Sequence, residues 1–126
     1  MKNKIIWQGV RRPLADQHKV IMKINGSEFG GNLPLYLDEE NHSPTGFEWG
    51  YLGSGPSQLA YAILRSYFVL VEKESISRAI SRAKGHHARF KQDFVAKWRG
   101  DEWEINSEQV SFWLDTQKED WKEGWV

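Results

Sequence analysis

The densest chemistry in this sequence runs Asn41-His42-Ser43-Pro44-Thr45-Gly46-Phe47-Glu48-Trp49-Gly50-Tyr51-Leu52-Gly53-Ser54-Gly55-Pro56-Ser57-Gln58. Glycines and prolines alternate there with Phe47, Trp49 and Tyr51 around one acid, Glu48. Glycine lets a ligand or a second chain approach the backbone closely. Gly53-Ser54-Gly55-Pro56 then runs into a helical pattern, whose first turn offers unpaired N–H groups and the positive end of the helix dipole. Such a start can hold a phosphate or carboxylate. The expected site therefore has Trp49 and Tyr51 stacking a base, and Gly53, Ser54, Gly55 and Ser57 contacting an anion. Arg82 or Arg89 is expected to neutralise its charge. The segment is neither a Walker A loop, which needs Gly-Lys-Ser/Thr, nor a complete dinucleotide fingerprint. A capped helix start beside a buried aromatic strand is the plainer alternative.

Other catalytic constellations are thin. His42 is close enough in sequence to pair with Glu48 as acid and base. His86 and His87 are adjacent, so they point to different helix faces and do not make an i, i+4 zinc pair. Asp38-Glu39-Glu40 is an acidic run whose default is a solvated loop. With no cysteine there is no thiol nucleophile, disulfide or thiolate metal site. The expectation is a protein that is not an enzyme and carries no metal or cofactor.

The elements that must position this segment are short strands before it and helices after it. Ile5-Ile6-Trp7 is a β-favouring run, and Val20, Met22 and Ile24 alternate ahead of an Asn25-Gly26 turn. Leu33, Leu35 and Leu37 restore period two around Pro34, as an edge strand or irregular segment. Leu59, Ile63, Tyr67 and Leu70 mark one helix behind Pro56. A second stripe comprises Ile76, Ala79, Ile80, Ala83, His87, Phe90, Phe94 and Trp98, with Gly85 as a possible break. Trp103 and Ile105 suggest a short strand, and Asn106 with Gln109 a reciprocal helix cap. The tail from Lys118 to Val126 is charged, with Trp121 and Trp125 four apart. The fold class is α+β: a small antiparallel sheet from the N-terminal half packed against two or three C-terminal helices. The chain is expected to be one domain, 1–126, strand-rich over 1–52 and helix-rich over 53–126.

The chain has 126 residues, with 17 Lys and Arg against 17 Asp and Glu. A neutral total gives no general attraction to nucleic acid or an anionic membrane. Charge is nevertheless segregated. Arg78, Arg82, Lys84, Arg89, Lys91, Lys97 and Arg99 dominate one stretch, and an acidic stretch follows from Asp101 onward. Pairing within the chain or across a dimer is the simpler outcome, and a basic face meeting an anion is the functional one. No apolar run approaches the roughly 20 residues of a membrane span. A cytoplasmic location and a homo-oligomer are expected, without membrane or nucleic acid as partner.

The run Asn41 to Leu64, above all Ser43-Pro44-Thr45-Gly46-Phe47-Glu48-Trp49-Gly50-Tyr51 and Gly53-Ser54-Gly55-Pro56, resembles a domain-of-unknown-function family of small bacterial, phage and prophage proteins. Looser likeness extends to Trp7-Gln8-Gly9-Val10-Arg11, Phe90-Lys91 and Trp103. Leu52, where relatives usually carry glycine, and Tyr61 depart from the pattern, as does a longer Val69–Gly85 connection. The resemblance implies an α+β fold and a phage-associated origin, hence the host cytoplasm. Two functions fit. The first is capture of a phosphorylated or nucleotide-like ligand, as a sponge for a cyclic-nucleotide or cyclic-ADP-ribose immune signal. The second is a protein–protein inhibitor or assembly factor acting on a host protein, anchored by Trp113, Trp121 and Trp125.

Overall fold

The structure, a computed structural model, describes residues 2–11, 18–27 and 31–125, with side chains as far as residue 117. Strand β1 (Ile5–Val10) is central, with β2 (Lys19–Ile24) and β3 (Glu102–Asn106) antiparallel on either side. The α+β class is as expected, although the third strand comes from the Trp103–Ile105 segment near the end of the chain. Alternation sets the faces: Ile5, Trp7 and Gly9 of β1 point inward, as do Val20 and Met22 of β2 and Trp103 and Ile105 of β3. Asn25 and Gly26 both take positive φ, and the turn closes through the Ile24–Ser27 bridge. The Leu33 segment is irregular. Among the described residues it follows β2 through Met22 N–H to Gly31 O, the Ile21–Asn32 bridge and Leu33 N–H to Val20 O.

Helix α1 (Ser54–Leu70) is buried continuously from Gly55 to Phe68, so it is the core of the molecule rather than a surface helix. The Trp7 indole N–H donates to Ser66 Oγ at 3.0 Å and ties its far half to the sheet. Helix α2 (Ile76–Asp93) runs back antiparallel beside it after a five-residue link. The direction is fixed by Arg82 lying over Phe68 and by Lys91 reaching Ser57. Gly85 does not interrupt α2. Its buried face is Ala79, Ala83, His86 and Phe90, so His86 rather than His87 is the core histidine, and Ile76 of the expected stripe is exposed. Helix α3 (Ser107–Trp125) starts at the reciprocal cap, Gln109 N–H to Asn106 Oδ1 and Asn106 N–H to Gln109 Oε1. The side chains of Trp121 and Trp125 lie outside the described residues. The arginines of α2 pair locally: Arg82 with Glu72 and Glu74, Arg78 with Glu74, Arg89 with Asp93. None of these partners is in the acidic C-terminal stretch.

Three tryptophans close the end of the sheet that faces the glycine-rich segment. Trp98 stacks on Trp103 at 4.2 Å, and Trp49 meets Trp103 edge-on at 5.7 Å. Gly9 makes this possible, because a Cβ there would come within 2.2 Å of Trp103 Nε1. Gly9→Ala is expected to force the indole off its stack and to cost about 1–3 kcal/mol. Urea unfolding measures that loss.

Candidate functional site

A cleft of about 790 Å3 opens between β2, the Leu33 segment and the chain entering α1. Its apolar walls are Val20, Leu33, Leu35 and Phe47, and its polar surface includes His18, Lys19, Asn32, Thr45 and Ser54. Each has a local cause. Val20 projects inward from β2, Leu33 is held beside it by a backbone hydrogen bond, and Ser54 and Gly55 are the first residues of α1. No acid occupies the first turn of α1, and Gly53 at the N-cap has no side chain to cap it. Pro56 has no N–H and Ser57 N–H is spent on Gly53 O, so the donors at this helix start are Ser54 and Gly55.

Among the described residues Glu48 is the one carboxylate that lines the cleft, and it is tightly held. Arg11 Nη2 donates to Oε1 at 2.8 Å, and Trp49 N–H donates to the same oxygen at 3.2 Å. His18 Nε2 donates to Oε2 at 2.5 Å. Burial raises the Glu48 pKa, and the bonds from Arg11 and His18 reverse this, leaving it below the ordinary glutamate value. An ionised Glu48 requires the His18 proton on Nε2. The other ring nitrogen, Nδ1, is enclosed and has no partner among the described residues. Arg11 also lies 4.6 Å over the Trp49 ring, and its guanidinium donates to Gly100 O and Trp49 O. The pairing of His42 with Glu48 that their closeness in sequence allows is not made: His18 takes that place. His42 packs against His87 and lies 3.6 Å from Glu40.

The expected ligand residues divide. Tyr51 is 49% exposed and lines the cleft together with Ser54 and Gly55. Trp49 is 1% exposed, with its indole N–H on Gly100 O, and cannot stack on a ligand. Gly53 supports the Tyr51 ring, since a Cβ there would meet Tyr51 Cε2 at 2.4 Å. Gly55 similarly makes room for Glu48, whose Cβ would be 2.6 Å from an added Cβ. Ser57 is buried; its hydroxyl donates to Gly53 O and accepts from Lys91 Nζ, so it is already engaged. Arg82 is spent on Glu72 and Glu74 beyond the far end of α1, about 25 Å along the helix at 1.5 Å per residue. Arg89 pairs with Asp93 on the α2 surface. Neither arginine lines the cleft. Trp113, an expected interface anchor, is buried and donates to Asp93 Oδ2.

Residues 7–116 match a family of unknown function, DUF6166. The chain belongs to that family. No curated protein and no solved structure matches it significantly. The DUF6166 span takes in His18, Glu48, Tyr51 and the start of α1, which line the cleft, and Arg11, which holds Glu48. No helix among the described residues is long and apolar enough to cross a membrane. No group of three metal-ligating side chains occurs among them.

The far wall of the DUF6166 cleft is held from behind by Gln58, whose side chain is fully buried. Its amide nitrogen donates to Leu35 O and Glu40 O, and its oxygen accepts from His42 N–H and Ser43 N–H. One side chain thus satisfies four backbone groups of an irregular loop. Glu39 adds a second anchor: both its oxygens accept from Arg65, and Oε1 also accepts from the Tyr61 hydroxyl. The acidic run is therefore not simply solvated. Arg11, Gln58 and Lys91 fall within the segments that carry the family resemblance or the glycine-rich run, and His18 in neither, but none of the four stands out from the sequence as a site residue. The signal for Lys91 was available in the antiparallel pairing of two helices joined by a short link.

Proposed function

We propose that this protein binds a small phosphorylated or nucleotide-like ligand in the cleft and sequesters it without turnover. One observation carries the reading: the half-exposed Tyr51 ring and the uncapped start of α1 open on the same cleft. An aromatic face can stack a base while Ser54 and Gly55 donate to an anion. Lys19, on the same surface, favours a negative ligand, and Arg11 offsets the charge of Glu48. In a phage or prophage setting, and in the host cytoplasm, the ligand class is a cyclic nucleotide or cyclic ADP-ribose signal. A homo-oligomer is part of the proposal.

Native mass spectrometry of protein purified without denaturation, then a thermal-shift screen of cyclic dinucleotides, cyclic trinucleotides and cyclic ADP-ribose isomers, tests this. A stoichiometric intact ligand, or a shift of several degrees at saturation, is expected. Tyr51→Ala should weaken binding about tenfold, within the range for loss of one stacking aromatic, while the ligand-free melting temperature stays unchanged. Protein that is unliganded and unmoved by every compound overturns the reading.

A second reading, inhibition of a host protein, has one observation in its favour. Phe112 on α3 is 73% exposed beside a groove of about 330 Å3 lined by Lys4, Val71 and Ser111. Loss of a captured host partner on Phe112→Ala, with the cleft empty, would favour it.

A further inference from the structure

The cleft wall formed by residues 40–46 rests on a pair of histidines. His42 from this segment lies against His87 of α2, with ring centroids 4.8 Å apart and planes inclined by 36°. His42 Nε2 is enclosed and has no hydrogen-bond partner among the described residues; the nearest carboxylate oxygen, Glu40 Oε1, is 3.6 Å away. His87 Nδ1 faces Lys84 O at 3.0 Å, and the Tyr61 ring of α1 meets His87 edge-on. The charged groups around the pair are few. Lys84 Nζ sits 4.0 Å from Glu40, and Glu39 is already saturated by Arg65 and Tyr61. Glu40 can offset one imidazolium. A second positive ring at this distance has no carboxylate left to face among the described residues.

We infer that residues 40–46 form a proton-operated latch on the cleft, in which charging both His42 and His87 drives the rings apart and lifts the segment away from Gln58. Glu39, pinned by Arg65 and Tyr61, is the fixed point from which the segment swings. Ser43, Thr45 and Gly46 belong to the moving part and line the cleft, so the latch regulates the site proposed above and takes its functional meaning from that reading. Burial lowers the His87 pKa; the Lys84 carbonyl and, less strongly, Glu40 oppose this in part, and a charge on His42 lowers it further, so that the net direction is down. The closed segment therefore binds the proton less readily than the open one. Closure is full above the ordinary histidine value of about 6.5 and weakens as pH falls through it.

The test needs no ligand, so it stands or fails separately from nucleotide capture. Amide exchange of His42 and Ser43, whose N–H groups close the contact with Gln58, is followed at about pH 7.5 and about pH 5, corrected for intrinsic rates. Their protection should drop roughly tenfold in acid, while Ile63 and Leu64 in the middle of α1 keep theirs. His87→Gln should abolish most of that drop, and His42→Gln gives the same readout should the first variant fail to fold. Equal protection at both pH values, a loss shared by the α1 interior, or an undiminished drop in the folded variant overturns the latch.

Discussion

Trp49→Ala is expected to cost about 3–5 kcal/mol of folding stability, the range for emptying a buried large aromatic site. The ring is 1% exposed and is held on several sides. Its N–H donates to Gly100 O at 3.0 Å, Arg11 lies over one face, and Trp103 and His18 pack against it. Removing it also takes the support from Arg11, and with it the clasp on Glu48. Tyr51→Ala, two residues away, should change stability by no more than about 0.5 kcal/mol, because half of that ring faces solvent. Guanidinium unfolding of the two variants side by side separates core from site. A Trp49→Ala loss below about 1 kcal/mol would mean that the tryptophan cluster does not anchor this end of the sheet.

The contrast between these neighbours shows where sequence reading reaches its limit. Phe47, Trp49 and Tyr51 alternate, and period two puts all three on one face of an extended segment. Positive φ at Gly50 breaks that rule, with Gly50 N–H on Val95 O and a Trp98 carbonyl 2.9 Å from where a Cβ would stand. Trp49 is turned into the core and Tyr51 outward, although their spacing predicts a common face. The regular elements were easier to see. Val20 and Met22, the Asn25-Gly26 turn and the Asn106–Gln109 cap each depend on two to four adjacent residues, and each is found as expected. The contacts between Arg11 and Glu48, or Gln58 and Leu35, depend on distant parts of the chain meeting, and no local pattern encodes them.

The arginine assignment was recoverable with one more step. A five-residue link between α1 and α2 makes them antiparallel neighbours, so a residue early in α2 must lie near the end of α1. Arg82 is early in α2 and lands over Phe68; Lys91 is late and lands on Ser57. The charge pattern drew attention to arginines, while helix direction decided which cation could reach the start of α1. Glu39 illustrates the opposite case. Three consecutive acids have a solvated loop as their natural reading, and only the fold brings Arg65 and Tyr61 to the middle one.

Arg65→Ala is expected to be as damaging as the loss of Trp49, about 3–5 kcal/mol, because it strands a largely buried carboxylate. The Arg65 and Glu39 side chains are 9% and 18% exposed, and two 2.8 Å bonds join them, Nε to Oε1 and Nη2 to Oε2. The guanidinium also covers the Tyr36 ring at 4.7 Å. Burial raises the Glu39 pKa, but the bonds from Arg65 and Tyr61 bring it below the ordinary value. In the wild type this stabilisation is present above about pH 4.3 and is lost as pH falls through the lower folded value. Without Arg65, burial opposes ionisation with the Tyr61 bond and the more distant Lys84 charge to offset it, so the variant folds relatively better once Glu39 is protonated. The deficit of Arg65→Ala should therefore be largest near neutrality and narrow in acid, as followed by urea unfolding across the pH range. Glu39→Ala paired with Arg65→Ala should cost clearly less than the sum of the two single changes. A deficit that stays flat with pH, or strictly additive losses, would place the energetics in the packing of Arg65 on Tyr36 instead.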